Sequence, residues 1–180
     1  VEKEGKAMRR IQLGRIPVVL SEEEIARMFL VSEKNPRDNV LLKCIYYLGM
    51  KPSELRRFKI KDIDFENNIV KINGKRTREV PAPDEFIKEL QAFINKREGL
   101  VFVGRDSSGS LSDRHIRRVV KQYACEANVR FCEKIHPHTL RHSYAVHLQK
   151  SGLSIASLQR FLGHKRKETT EIYIHTDLKI

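Results

Sequence analysis

A chain of 180 residues can bury one sizeable core but is short for two. Lys and Arg number 35 against 23 Asp and Glu, a formal charge of +12 that points to a polyanionic partner: DNA, RNA or an anionic membrane surface. No apolar run approaches the roughly 18 residues of a spanning helix and no signal peptide opens the chain, so membrane is the weakest of the three and a soluble, cytoplasmic protein is expected.

Val1 to Pro17 is rich in Lys, Arg and Glu without an apolar period, and reads as a linker or tail ahead of a domain over 18–180. Ser21 with Glu24 is a capping box that starts a helix with Ile25, Met28 and Phe29 on one face. Asn35-Pro36 breaks the chain, and Val40, Leu41, Cys44, Ile45 and Leu48 then form a strongly apolar helix stopped at Gly49. Pro52 suits the start of a short new helix, so the charges of Lys51 and Glu54 gather at the end of a buried one.

From Lys59 to Pro83 the period becomes two, through Ile60, Ile63, Phe65, Ile69, Val70, Ile72 and Val80. Turns at Asn67-Asn68 and Asn73-Gly74-Lys75-Arg76 make this a small antiparallel sheet with a basic hairpin tip. Asp84 is expected to cap a helix carrying Phe86, Ile87, Leu90, Phe93 and Ile94. After a Gly/Ser loop at 104–110, Ser112 caps a helix with Ile116, Val119, Val120, Tyr123, Ala124 and Ala127 inward. Arg114, Arg117, Arg118 and Lys121 lie on its other faces, where a solvated surface and contact with a DNA backbone are equally good readings.

Two more helices follow, one through Leu140, Tyr144, Ala145 and Leu148 to Gly152, and one capped by Ser154. The fold class is therefore mainly α with a small antiparallel β-sheet. Cys44, Cys125 and Cys132 are odd in number, lack CxxC spacing and have apolar neighbours, so reduced core thiols are expected rather than a disulfide or a zinc site.

The last third holds the chemistry. His138 and His142, four apart with His136 nearby, have zincin-like spacing, but Thr139 stands where the Glu would follow the first His. No metal and no cofactor are expected. Phosphoryl transfer by side chains alone needs a nucleophile, cations on the nonbridging oxygens and an acid for the leaving oxygen. Tyr173 suits the first task, Arg141 with its planar fork the second, and His138 and His164 can move a proton or donate to phosphate. Singly, Tyr173 reads as a packing residue, Arg141 as an ion-pair partner and His164 as a helix cap.

In combination they resemble the catalytic domain of the tyrosine recombinase (phage integrase-like) family. The resemblance rests on His138-x-x-Arg141-His142, on Leu162-Gly163-His164 ending 23 residues past Arg141, and on Tyr173 nine residues further on. Leu48-Gly49-Met50-Lys51-Pro52-Ser53-Glu54-Leu55 is similar to the family's first box, and Ile72-Asn73-Gly74-Lys75 with Val80-Pro81 to its hairpin. The resemblance implies a site-specific recombinase that joins DNA 3′ ends to Tyr173, needs no cofactor, and assembles as a homo-tetramer on duplex DNA, although the isolated domain can be monomeric.

It assigns Arg141 to the nonbridging oxygens, Lys75 or alternatively Arg76 to the departing 5′-oxygen, and His138 to proton transfer. His164 would hydrogen-bond the phosphate and Glu54 would orient the first-box cation. Arg76, Arg114, Arg117, Arg118, Lys121, His142 and Lys165 are expected to contact DNA. Three departures stand out, one of them a hairpin tip shorter than the family's glycine- and lysine-rich form, which leaves Arg76 as the alternative to Lys75.

Lys51 replaces the family's first-box Arg, keeping the charge but losing the fork; loss of such a donor at a phosphoryl site costs about 3 kcal/mol, roughly 100-fold in rate. The family's preceding core-binding domain is absent and only seven residues follow Tyr173, so a catalytic-domain fragment is expected. The rival readings are a recombinase-fold DNA-binding protein impaired at Lys51, a type IB topoisomerase-like enzyme and a metal-dependent nuclease.

Overall fold

Glu24 and Ser21 close both hydrogen bonds of the capping box, 2.9 and 3.2 Å, and helix α1 (Glu22–Ser32) starts there, with Ile25 and Met28 buried. The computed structural model describes residues 18–104 and 109–173. The expected linker at Val1–Pro17, the centre of the Gly/Ser loop and the stretch beyond Tyr173 lie outside the described residues.

Asn35 caps α2 (Pro36–Tyr47) through its side chain, with Pro36 at the first helical position. Val40, Leu41, Leu42, Cys44, Ile45 and Leu48 are almost wholly buried, each aliphatic contributing about 1.5–3 kcal/mol relative to exposure. This is the central helix, packed on α1 and on two later helices. It ends at Gly49, whose φ of +55° needs no Cβ to accommodate. The one-turn helix α3 (Pro52–Leu55) follows directly.

A three-stranded antiparallel sheet in the order β1 (Ile63–Asp64), β2 (Ile69–Ile72), β3 (Arg78–Pro81) comes next. Its register sets Val70 opposite Val80 and Ile72 opposite Arg78. Ile60, expected on a strand, instead begins a 3-10 turn, Ile60–Asp62, because the Asp62 carboxylate takes the Lys59 N–H and pulls the backbone round. Helix α4 (Asp84–Ile94) has Pro83 rather than Asp84 at its cap position, and Asp84, as the first helical residue, pairs with Lys88 one turn on.

Helix α5 (Asp113–Glu126) begins with Ser112 accepting the His115 N–H and buries the six expected apolar positions. Beyond it the expectation of three reduced thiols fails. Cys44 is a buried free thiol, but Cys125 and Cys132 are bonded, with their Cα atoms 4.9 Å apart. Left-handed Asn128 and Phe131 fold the chain back on the helix end and bring the two together.

Helix α6 (Pro137–Lys150) packs on α2, and α7 (Ile155–Leu162) packs on α6 and β3. The one-turn α8 (Glu168–Glu171) then carries the chain to Tyr173. Most apolar residues form one core, while Ala145, Val146, Leu158, Leu162 and Tyr173 form a smaller cluster between α6 and α7.

Candidate active site

Three turns converge, the Gly49–Lys51 turn after α2, the 73–77 hairpin between β2 and β3 and the Gly163–His164 turn after α7, and the first half of α6 is tied to the first and last of them through Arg141. Between them opens a cleft of about 840 Å³ whose lining includes Lys51, Lys75, Arg76, His164 and Lys165. Tyr173 lies just beneath, against α6.

Arg141 is 2% exposed. Its Nη1 donates to the Gly49 carbonyl, and its Nη2 to the Leu162 carbonyl at 2.5 Å and to His164 Nε2 at 3.4 Å. Burial, then the charge of Arg78, pull its pKa down to about 10, so it remains a cation at neutral pH. His164, with Nε2 accepting from Arg141, directs Nδ1 to Thr170 Oγ1 at 3.0 Å. Burial and Arg141 bring His164 to about 4, a neutral imidazole.

The Tyr173 phenol and His142 Nδ1 share a hydrogen bond of 2.6 Å, and the Tyr173 ring stacks on His164 at 6.3 Å between centroids. Burial pushes the phenol up to about 12, against the opposing pull of Arg141. Burial, then the neighbouring His138, hold His142 near 4. His142, expected on the DNA surface, is thus half-buried against the phenol, one helical turn from His138. His138 is exposed as a residue, yet its ring is partly desolvated, and this, then Arg141, lowers its pKa, with Arg117 of α5 adding to the effect.

Lys51 is half-buried, and burial followed by Arg141 depresses its ammonium. Among the described residues the hydrogen bonds of Glu54 go elsewhere than to that ammonium. Its Oε2 accepts the Lys51 backbone N–H at 2.9 Å, and both oxygens accept the fork of Arg78 at 2.8 and 2.9 Å. Burial alone would raise the Glu54 carboxyl, but Arg78 outweighs it and holds the group below its ordinary range. The sequence reading missed Arg78. It lies two residues before buried Val80 on a strand alternating buried and exposed, which marks an inward-pointing arginine.

Lys75 and Arg76 are exposed at the hairpin tip, and Arg76 Nη1 reaches the His164 carbonyl at 3.2 Å. Gly74 lets the hairpin sit on Glu54, since a Cβ there would lie 3.0 Å from Oε1. Arg114, Arg117, Arg118 and Lys121 are exposed along α5, and Lys165 is exposed at the cleft. Among the described residues no group of three or more His, Cys, Asp or Glu is placed to hold a metal, and no helix is long and apolar enough to cross a membrane.

Fold and site together define a mainly helical domain that gathers cations over a tyrosine. The chain belongs to the phage integrase family, whose model matches residues 18–179. It is 33% identical to a tyrosine recombinase of Pseudothermotoga lettingae, over 89% of this chain and 57% of that one. With the tyrosine recombinase XerA of Pyrococcus furiosus it shares 30% identity over 99% of this chain and 65% of the relative. It therefore spans less than two thirds of either relative.

Among solved structures, a XerA recombinase superposes with a TM-score of 0.82 at 26% identity, covering 91% of this chain and 62% of that one. A XerH site-specific recombinase bound to its difH substrate, a pre-cleavage complex, gives 0.80 at 27% identity, with 94% and 54% covered.

Proposed function

We propose that this chain is the catalytic domain of a site-specific recombinase that cuts and rejoins duplex DNA through a covalent 3′-phosphotyrosine on Tyr173. The observation that carries the reading is the 2.6 Å contact between the Tyr173 phenol and a neutral imidazole on the helix that also carries Arg141. The step requires that a scissile phosphate held by Lys51 and Arg141 present its phosphorus to the phenol oxygen. As Oη attacks, its proton passes to an imidazole of α6, either His142 in direct contact or His138 one turn away.

Arg141 donates to the nonbridging oxygens as their charge grows, and His164 does so once its Nε2, which accepts from Arg141 in the DNA-free site, carries the ring proton. Lys75, with Arg76 beside it, gives a proton to the departing 5′-oxygen. The P–O bond to the 5′-oxygen breaks as the P–O bond to Tyr173 forms, so the phosphodiester energy is conserved and attack by a new 5′-hydroxyl reverses the step. No nucleotide cofactor is needed to drive it.

Support for DNA as partner comes from the +12 charge, the exposed cations of α5 and the DNA-bound XerH relative. Pairwise strand exchange requires several active sites on one DNA assembly, hence a homo-tetramer acting where DNA is held, in the cytoplasm. A nicked suicide substrate carrying the target site tests the reading. Wild-type protein is expected to form an SDS-resistant adduct and Tyr173→Phe none. A wild-type protein that binds the site without forming an adduct overturns the reading, and sequence-independent relaxation of supercoiled DNA would move it to the topoisomerase class.

A further inference from the structure

We infer that Arg78 is the positioning residue of the cationic clamp, setting Lys51 and Arg141 through Glu54 and the carbonyl of Gly49. The inference rests on the recombinase reading and assigns a residue that neither the motifs nor that reading employ. Arg78 is 8% exposed. Its fork meets the Glu54 carboxylate side-on, Nη1 to Oε1 at 2.8 Å and Nη2 to Oε2 at 2.9 Å, and Nη2 also donates to the Gly49 carbonyl at 3.2 Å.

Each of these acceptors serves a second group at the cleft. Glu54 Oε2 takes the Lys51 N–H, and the Gly49 carbonyl takes Arg141 Nη1. One planar cation therefore braces the turn bearing Lys51 from both ends and shares an acceptor with the phosphate-facing arginine. Its stem also seats the turn carrying His164: a Cβ on Gly163 would lie 3.4 Å from Arg78 Cδ.

A point charge cannot make these contacts. Lysine would reach one carboxylate oxygen and leave the other, together with the carbonyl, unbraced. Arg78 Nε has no hydrogen-bond partner among the described residues, so the terminal fork alone makes the contacts. Because the fork already occupies both oxygens of Glu54, the ammonium of Lys51 is left to face the cleft. The first-box lysine is then a phosphate-facing cation held by its backbone, and the guanidinium that pairs the box's carboxylate comes from β3.

A double-mutant cycle on the full chain tests this, with single-turnover cleavage of prebound suicide DNA as readout. Arg78→Lys is expected to lower the cleavage rate constant by about 10- to 100-fold, with DNA affinity changed by less than about threefold. In a Lys51→Ala background the same substitution is expected to cost less, because the part exerted through Lys51 is gone and only the part exerted through Arg141 remains. Equal losses in both backgrounds, or a loss that follows DNA affinity, overturn the inference.

Should Arg78→Lys fail to fold by circular dichroism, Glu54→Gln breaks the fork from the other side and must show the same coupling to Lys51. Absence of any wild-type adduct strikes the recombinase reading, whereas a wild-type adduct with additive losses strikes only the role of Arg78.

Discussion

The clamp and the nucleophile of this cleft are held by different means. Glu54, Arg78 and Arg141 are buried polar groups whose main hydrogen bonds lie within the protein, and the elements that carry them, α3, β3 and α6, each place a residue in the principal core. Tyr173 belongs to the satellite of five buried residues between α6 and α7, and reaches α6 through one phenol–imidazole bond. The clamp is therefore built before DNA arrives. The nucleophile is anchored by a smaller apolar cluster and by contacts that can be exchanged one at a time. A site made this way can admit a phosphate to a rigid cationic seat while the attacking group adjusts to it.

After loss of the phenol itself, the next largest effect expected is on the nucleophile side. His142→Ala, which removes the imidazole at 2.6 Å, should slow single-turnover adduct formation by about 100-fold with little change in DNA affinity. If His138→Ala is the more damaging of the two, the proton leaves by the exposed ring and the direct contact is only a support.

Acidification separates the halves more gently. His142 and His164 lie near 4 in the folded chain against an ordinary 6.5, so between those values the unfolded chain takes up protons that the folded one refuses. Their contribution to stability is complete above about pH 6.5 and drains away as the pH falls toward 4. Thermal melts across that window should show the steepest fall there. A flat profile would mean that the imidazoles of the nucleophile side are not held neutral.

The smallest effect concerns a feature remote from both halves. Reducing the Cys125–Cys132 bridge, which closes a loop over a separation of 7 residues, should cost about 2 kcal/mol of stability by loop-closure entropy and leave cleavage unchanged. A fall in the cleavage rate on reduction would show that the core behind the clamp is less insulated than its packing implies.

How much of this was legible in the sequence follows the same division. The nucleophile side lies within one run from His138 to Tyr173, so the family resemblance could be read from one stretch, and the capping signals at Ser21, Ser112 and Ser154 are local rules that hold. The clamp side is written in pieces. Arg78 follows Lys75 and Arg76 on a hairpin and resembles another surface cation until its strand phase is noticed. Its partner lies 24 residues earlier, across a turn whose geometry no window reveals.

Glu54 was legible as a clamp residue but not as the partner of Arg78. The Cys125–Cys132 pair escaped because its closure depends on two left-handed residues, one of them a phenylalanine, where no glycine announces a turn.

The carbonyl of Gly49 accepts from both Arg78 and Arg141. A backbone oxygen has no codon, so this acceptor cannot itself be deleted by substitution; heredity reaches it only through the backbone that carries it. That backbone has a φ of +55° at a residue whose Cβ would come 3.1 Å from Phe161 Cε1. Drift at this one position would disturb both guanidiniums together, making a single glycine their common point of failure.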